Sequence, residues 1–85
     1  MSHPIIKLFG AERCHKTKYY KEFLNSQNLN YEFLDVENNE DYANELRELY
    51  QNKRLNFPTI TIGEKKLRNP SDEDVLKWLK KHESD

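Results

Sequence analysis

The 85-residue sequence predicts a single α/β domain, a four-stranded mixed sheet flanked by three helices in the order β-α-β-α-β-β-α. Short apolar or β-branched runs at residues 5–9, 31–36 and 57–62 alternate with segments whose apolar residues return at helical spacing. The first two runs are separated by a helix-length segment, which makes that βαβ unit parallel with a right-handed crossover. A fourth run at residues 65–68 follows the third after only Gly63-Glu64, so those two strands must be antiparallel.

The elements follow in order. Ile5-Ile6-Lys7-Leu8-Phe9 is an apolar run ended by Gly10, the look of a strand buried on both faces. From Cys14 to about Gln27 a helix is expected, with Tyr20, Phe23 and Leu24 at i, i+3, i+4 and Lys18, Lys21 and Glu22 on the wet side. Asn25, Ser26 and Asn28 stop it. Tyr31 to Val36 reads as the second strand, and Asn38 or Asn39 caps a second helix carrying Tyr42, Leu46, Leu49 and Tyr50. Glu40 and Asp41 open that helix, and Lys53 and Arg54 lie just past its end, the polarity its dipole favours. The third strand opens on Phe57-Pro58, a permitted place for proline. Lys65-Lys66-Leu67-Arg68 is charged enough for a sheet edge. Ser71 to Asp74 reads as a capping box leading into Val75, Leu76, Trp78 and Leu79.

Composition narrows the function. The 14 Lys and Arg nearly cancel 15 Asp and Glu, which argues against a nucleic-acid binder. No apolar run approaches the ~18 residues of a membrane span, and no signal-type segment opens the chain. A soluble, cytoplasmic protein is expected. A single cysteine rules out an internal disulfide, a CxxC pair and a multi-cysteine zinc site. His3, His15 and His82 share no ligand spacing, so no metal is expected.

Cys14 is the candidate nucleophile. It falls where a strand's exit meets a helix's start, among Arg13, His15, Lys16 and Thr17. The free amides of a helix N-terminus and nearby cations stabilise a thiolate, and the hydroxyl of Thr17 can donate to the sulfur. Its pKa is therefore expected below the ~8.5 of a free cysteine. Pro58 either marks an edge strand or follows a cis peptide bond, which would turn the Phe57 backbone toward an extended ligand. Ser71 and Asp72 serve as helix capping or as part of a binding site.

Together these residues resemble the glutaredoxin branch of the thioredoxin superfamily, from Ile5 to about Lys81. Cys14-His15-Lys16-Thr17 stands where that family has C-P-Y-C or C-G-F-S, with threonine replacing the resolving cysteine. Asn56-Phe57-Pro58 corresponds to its T-V-P signature, and Arg68-Asn69-Pro70-Ser71-Asp72 to its G-G-x-D-D stretch. The resemblance implies a thioredoxin fold with a cis bond before Pro58. It also implies a monothiol thiol–disulfide oxidoreductase that uses glutathione as co-substrate. Cys14 would be the nucleophile, with its pKa lowered by Arg13, His15, Lys16 and Thr17. Glutathione would be held by Arg54, Phe57, Pro58, Arg68, Ser71 and Asp72. Its partners would be glutathione and glutathionylated or disulfide-bearing proteins, and the protein is expected to act as a monomer. Two family features are missing: Ala11 replaces the usual lysine, and Arg68-Asn69 the glycine pair. Replacing Ala11 by lysine is expected to speed turnover. The alternatives are a glutathione-dependent [2Fe–2S] cluster-binding dimer, which the bulky His15-Lys16 pair would crowd, and a redox sensor or adaptor without efficient turnover.

Overall fold

In the computed structural model, the described residues are 5–50 and 57–83. The elements run β1 (Ile6–Gly10), α1 (His15–Ser26), β2 (Glu32–Asp35), α2 (Glu40–Glu48), β3 (Thr59–Ile62), β4 (Lys65–Arg68) and α3 (Asp72–Glu83). The sheet order is β2-β1-β3-β4, with β1 parallel to β2 and antiparallel to β3, and β3 antiparallel to β4. This is the thioredoxin fold.

Alternation along the strands builds two cores. Ile6, Leu8, Ile60 and Ile62 point to one face and meet Tyr20 and Leu24 of α1 and Val75 and Leu79 of α3. Phe9, Leu34 and Val36 point to the other and pack with Ala43 and Leu46 of α2. Each fully buried aliphatic side chain of this kind contributes about 1.5–3 kcal/mol relative to exposure. The central strand β1 feeds both cores, which accounts for its nearly continuous apolar run. β4 is a charged edge.

Local chemistry sets the element ends. At the end of α1, Asn28 takes a positive φ of 58°, and the amides of Asn28 and Leu29 return to the carbonyls of Asn25 and Leu24. That is a Schellman closure, in which asparagine substitutes for the usual glycine. Asn39, rather than Asn38, caps α2, its side chain accepting from the amides of Asp41 and Tyr42. Asn38 instead joins the turn held by the Asp35 carboxylate. The expected capping box at α3 is present: Ser71 Oγ accepts the Asp74 amide at 3.2 Å, and the Asp74 carboxylate faces the Ser71 amide at 3.4 Å. Gly63 has the positive φ that a two-residue hairpin turn asks of its first position.

Candidate functional site

The strand pairing gathers the candidate residues at one end of the sheet. Phe9 is opposite Thr59, and Thr59 is opposite Arg68. The C-terminal end of β1, the N-terminal end of β3 and the C-terminal end of β4 are therefore adjacent. Residues 11–14 leave the first, Phe57-Pro58 enter the second, and Arg68 to Ser71 lead from the third into α3. The amide of Asn69 donates to the Pro58 carbonyl at 2.9 Å, locking these last two segments together. The Phe57–Pro58 peptide bond is cis, with Pro58 buried and Phe57 exposed.

Cys14 is partly buried and is the N-cap of α1, so the helix begins one residue later than the periodicity indicated. A tight turn brings it there, with the Cys14 amide donating to the Ala11 carbonyl at 3.0 Å. Its sulfur makes no cap hydrogen bond of good geometry. Burial is the largest influence on the thiol and pushes its pKa up. The Thr17 hydroxyl, the amides of Thr17 and Lys16 and the Lys16 charge together outweigh burial, so the pKa lies below the ordinary value.

The four expected modulators thus divide. Lys16, exposed, and Thr17, fully buried, act on the sulfur. His15 is exposed and is not among the groups that do. Arg13 is pulled away: its Nε and guanidinium meet the Glu37 carboxylate at 2.6 and 2.5 Å. The hydrogen bond and charge of Glu37 come first among the causes raising the Arg13 pKa, and the Cys14 charge last.

The α3 side of the site is equally specific. Ser71 is committed to capping, while the Asp72 carboxylate accepts the Tyr19 hydroxyl at 2.5 Å. Tyr20, behind it, donates its hydroxyl to the Pro70 carbonyl and lies 3.5 Å from the Asn69 side chain. Arg68 is exposed on β4. Asn69 stands at φ 47°, a left-handed position where the family's glycine is replaced by the residue type that tolerates it best. Arg54 lies outside the described residues.

Ala11 lies in the turn between β1 and α1. It is 1% exposed, with its amide on Thr17 Oγ1 at 3.3 Å and its carbonyl on Cys14. A lysine there would have to open a closed contact before its ammonium reached the groove, so the substitution does not simply add a charge. Glu37, Tyr19 and Gly10 escaped sequence reasoning. The first two act across loops and carry no local signal, and Gly10 looked only like the end of a strand. Among the described residues, no three His, Cys, Asp or Glu side chains group to hold a metal ion, and no helix is long and apolar enough to cross a membrane.

Residues 6–67 match the sequence profile of the glutaredoxin family. Two solved structures are similar over most of the chain, those of the thioredoxin-like protein BC3987 and a point mutant of it. The mutant is 27% identical, spans 88% of this chain and 94% of its own, and superposes with a TM-score of 0.76. The parent is 27% identical over 87% and 97%, with a TM-score of 0.69. No curated protein matches the chain.

Proposed function

Because the chain belongs to the glutaredoxin family of thiol–disulfide oxidoreductases, we propose that it is a monothiol enzyme acting on mixed disulfides of glutathione through Cys14. The Cys14 thiolate attacks the glutathionyl sulfur of a substrate R–S–SG. A Cys14–glutathione disulfide forms, the S–S bond of R–S–SG breaks, and R–S⁻ leaves with that bond's electron pair to be protonated. A second glutathione thiolate then attacks the glutathionyl sulfur, forming oxidised glutathione and returning the Cys14 thiolate. No further oxidant or reductant is needed. With threonine at position 17 the chain offers no second thiol to resolve the intermediate from within.

The observation that carries this reading is a partly exposed cysteine at a helix N-terminus whose pKa is drawn down by Thr17 and Lys16. In the tripeptide complex, the backbone of Phe57 beside Pro58 pairs with the cysteinyl unit. Ser71 and Asp72 meet the glutamyl end, and Arg54 and Arg68 supply positive charge for the carboxylates. The reaction belongs in the cytoplasm, where glutathione is kept reduced, and needs one copy of the chain. The test is mass spectrometry after incubation with oxidised glutathione. One glutathione should add to the wild type and none to Cys14→Ser. An unmodified wild type with a freely alkylated Cys14 would overturn the reading.

A further inference from the structure

Gly10 is the last residue of β1 and has the same parity as Ile6 and Leu8, so its Cα faces α1. Thr17 is the first of the inward stripe Thr17, Tyr20, Leu24 on that helix and is 0% exposed. The two positions meet closely. A Cβ on Gly10 would stand 2.3 Å from Thr17 Oγ1, 2.8 Å from its Cγ2 and 3.1 Å from its Cβ. The threonine side chain therefore fills the volume that any other residue at position 10 would claim, and both of its branches are pressed against the strand.

That packing decides where the hydroxyl points. Thr17 Oγ1 accepts the Ala11 amide at 3.3 Å. A hydroxyl has one hydrogen to donate besides its acceptor sites, and the Thr17 hydroxyl is the first of the influences that draw the Cys14 thiol down against burial. Threonine in a helix has a competing rotamer in which its hydroxyl bonds a carbonyl of the preceding turn. A methyl at position 10 drives the side chain out of its observed place, so the Ala11 bond and the approach to sulfur are lost together.

We propose that Gly10 is a positioning residue for the nucleophile: the missing side chain at the end of β1 forms the niche that fixes the Thr17 hydroxyl between the Ala11 amide and the Cys14 sulfur. This deepens the reading of Cys14 as the reactive thiol and rests on it. Gly10 touches neither substrate nor sulfur and acts only through Thr17.

The experiment is a double-mutant cycle read by thiolate absorbance against pH, with alkylation rate as a second probe. Neither readout uses glutathione, so loss of glutathione chemistry leaves the cycle interpretable. Gly10→Ala and Thr17→Ala should each move the Cys14 titration midpoint upward and slow alkylation at neutral pH. Gly10→Ala/Thr17→Ala, which removes the two closest clashes, should sit at the Thr17→Ala midpoint. If Gly10→Ala alone does not fold, the comparison of the double variant with Thr17→Ala still decides the matter, because equal midpoints are required. A Gly10→Ala midpoint equal to that of the wild type, or a double variant shifted beyond Thr17→Ala, would overturn the proposal.

Discussion

Replacing Tyr20 by phenylalanine isolates the contribution of one buried hydroxyl to the α3 side of the site. Tyr20 is 5% exposed, and its hydroxyl reaches across from α1 to the carbonyl of Pro70, itself buried. Burial first, then the charges of Asp72, Tyr19 and Asp74, hold its pKa above the ordinary phenol value, so the group keeps its proton and remains a donor. Tyr20→Phe preserves the ring packing among Leu8, Leu24 and Val75 and removes only that donor. Leaving a buried acceptor without its partner costs about 1–3 kcal/mol. In a domain of this size each kcal/mol lowers Tm by roughly 4–8 °C, so a fall of about 4–24 °C is expected by calorimetry. Loosening of residues 69–72 should then raise KM for a glutathionylated substrate more than it lowers kcat. The thiolate titration should not move, because Thr17 and Lys16 are untouched. A Tm within about 1 °C of the wild type would refute the reasoning from an unsatisfied carbonyl. A Cys14 midpoint displaced upward would show that the turn and the nucleophile are not separable as described.

The Cys14 pKa is lowered, so alkylation should reach its plateau at lower pH than for a free cysteine, near ~8.5. The unfolded chain binds the extra proton between the two pKa values. Wild-type stability should therefore rise with pH across that window relative to Cys14→Ser, in urea titrations at stepped pH. Asp35 is held below the usual carboxylate range by the Asn38 side chain first, then, against burial, by the amides of Asn38 and Glu37. Its contribution is present above the unfolded value of ~3.9 and lost as pH falls through the lower folded value, so Asp35→Ala should flatten the acid limb of the stability curve. Asn39→Ala should cost about 0.5–2 kcal/mol in denaturant unfolding through loss of the α2 cap.

Local chemistry was legible. The edge strand Lys65–Arg68, the Ser71–Asp74 box and the stop at Asn28 each depend on hydrogen bonds or charges within a few residues, and they lie where sequence reasoning put them. The boundary of α1 was misjudged by one residue because periodicity marks the helical face, while the cap depends on the backbone of Cys14. The place of Cys14 between a strand and a helix was legible too, and the structure puts it at the N-cap of α1.

By itself the sequence determined the order of elements and the two-sided burial of β1, and it singled out Cys14 as the candidate nucleophile, since periodicity, turn residues and neighbouring charges carry that information along the chain. Tertiary structure alone decided which side chains surround that cysteine. Arg13 looked like a partner for the thiolate until the turn after β2 brought Glu37 beside it. Ala11 looked like a lysine omitted until the turn into α1 closed over it. Gly10 looked like a full stop until α1 settled its buried threonine against it. These are contacts between elements separated along the chain, and their partners are chosen by sheet order and helix placement, which no local pattern of residues encodes.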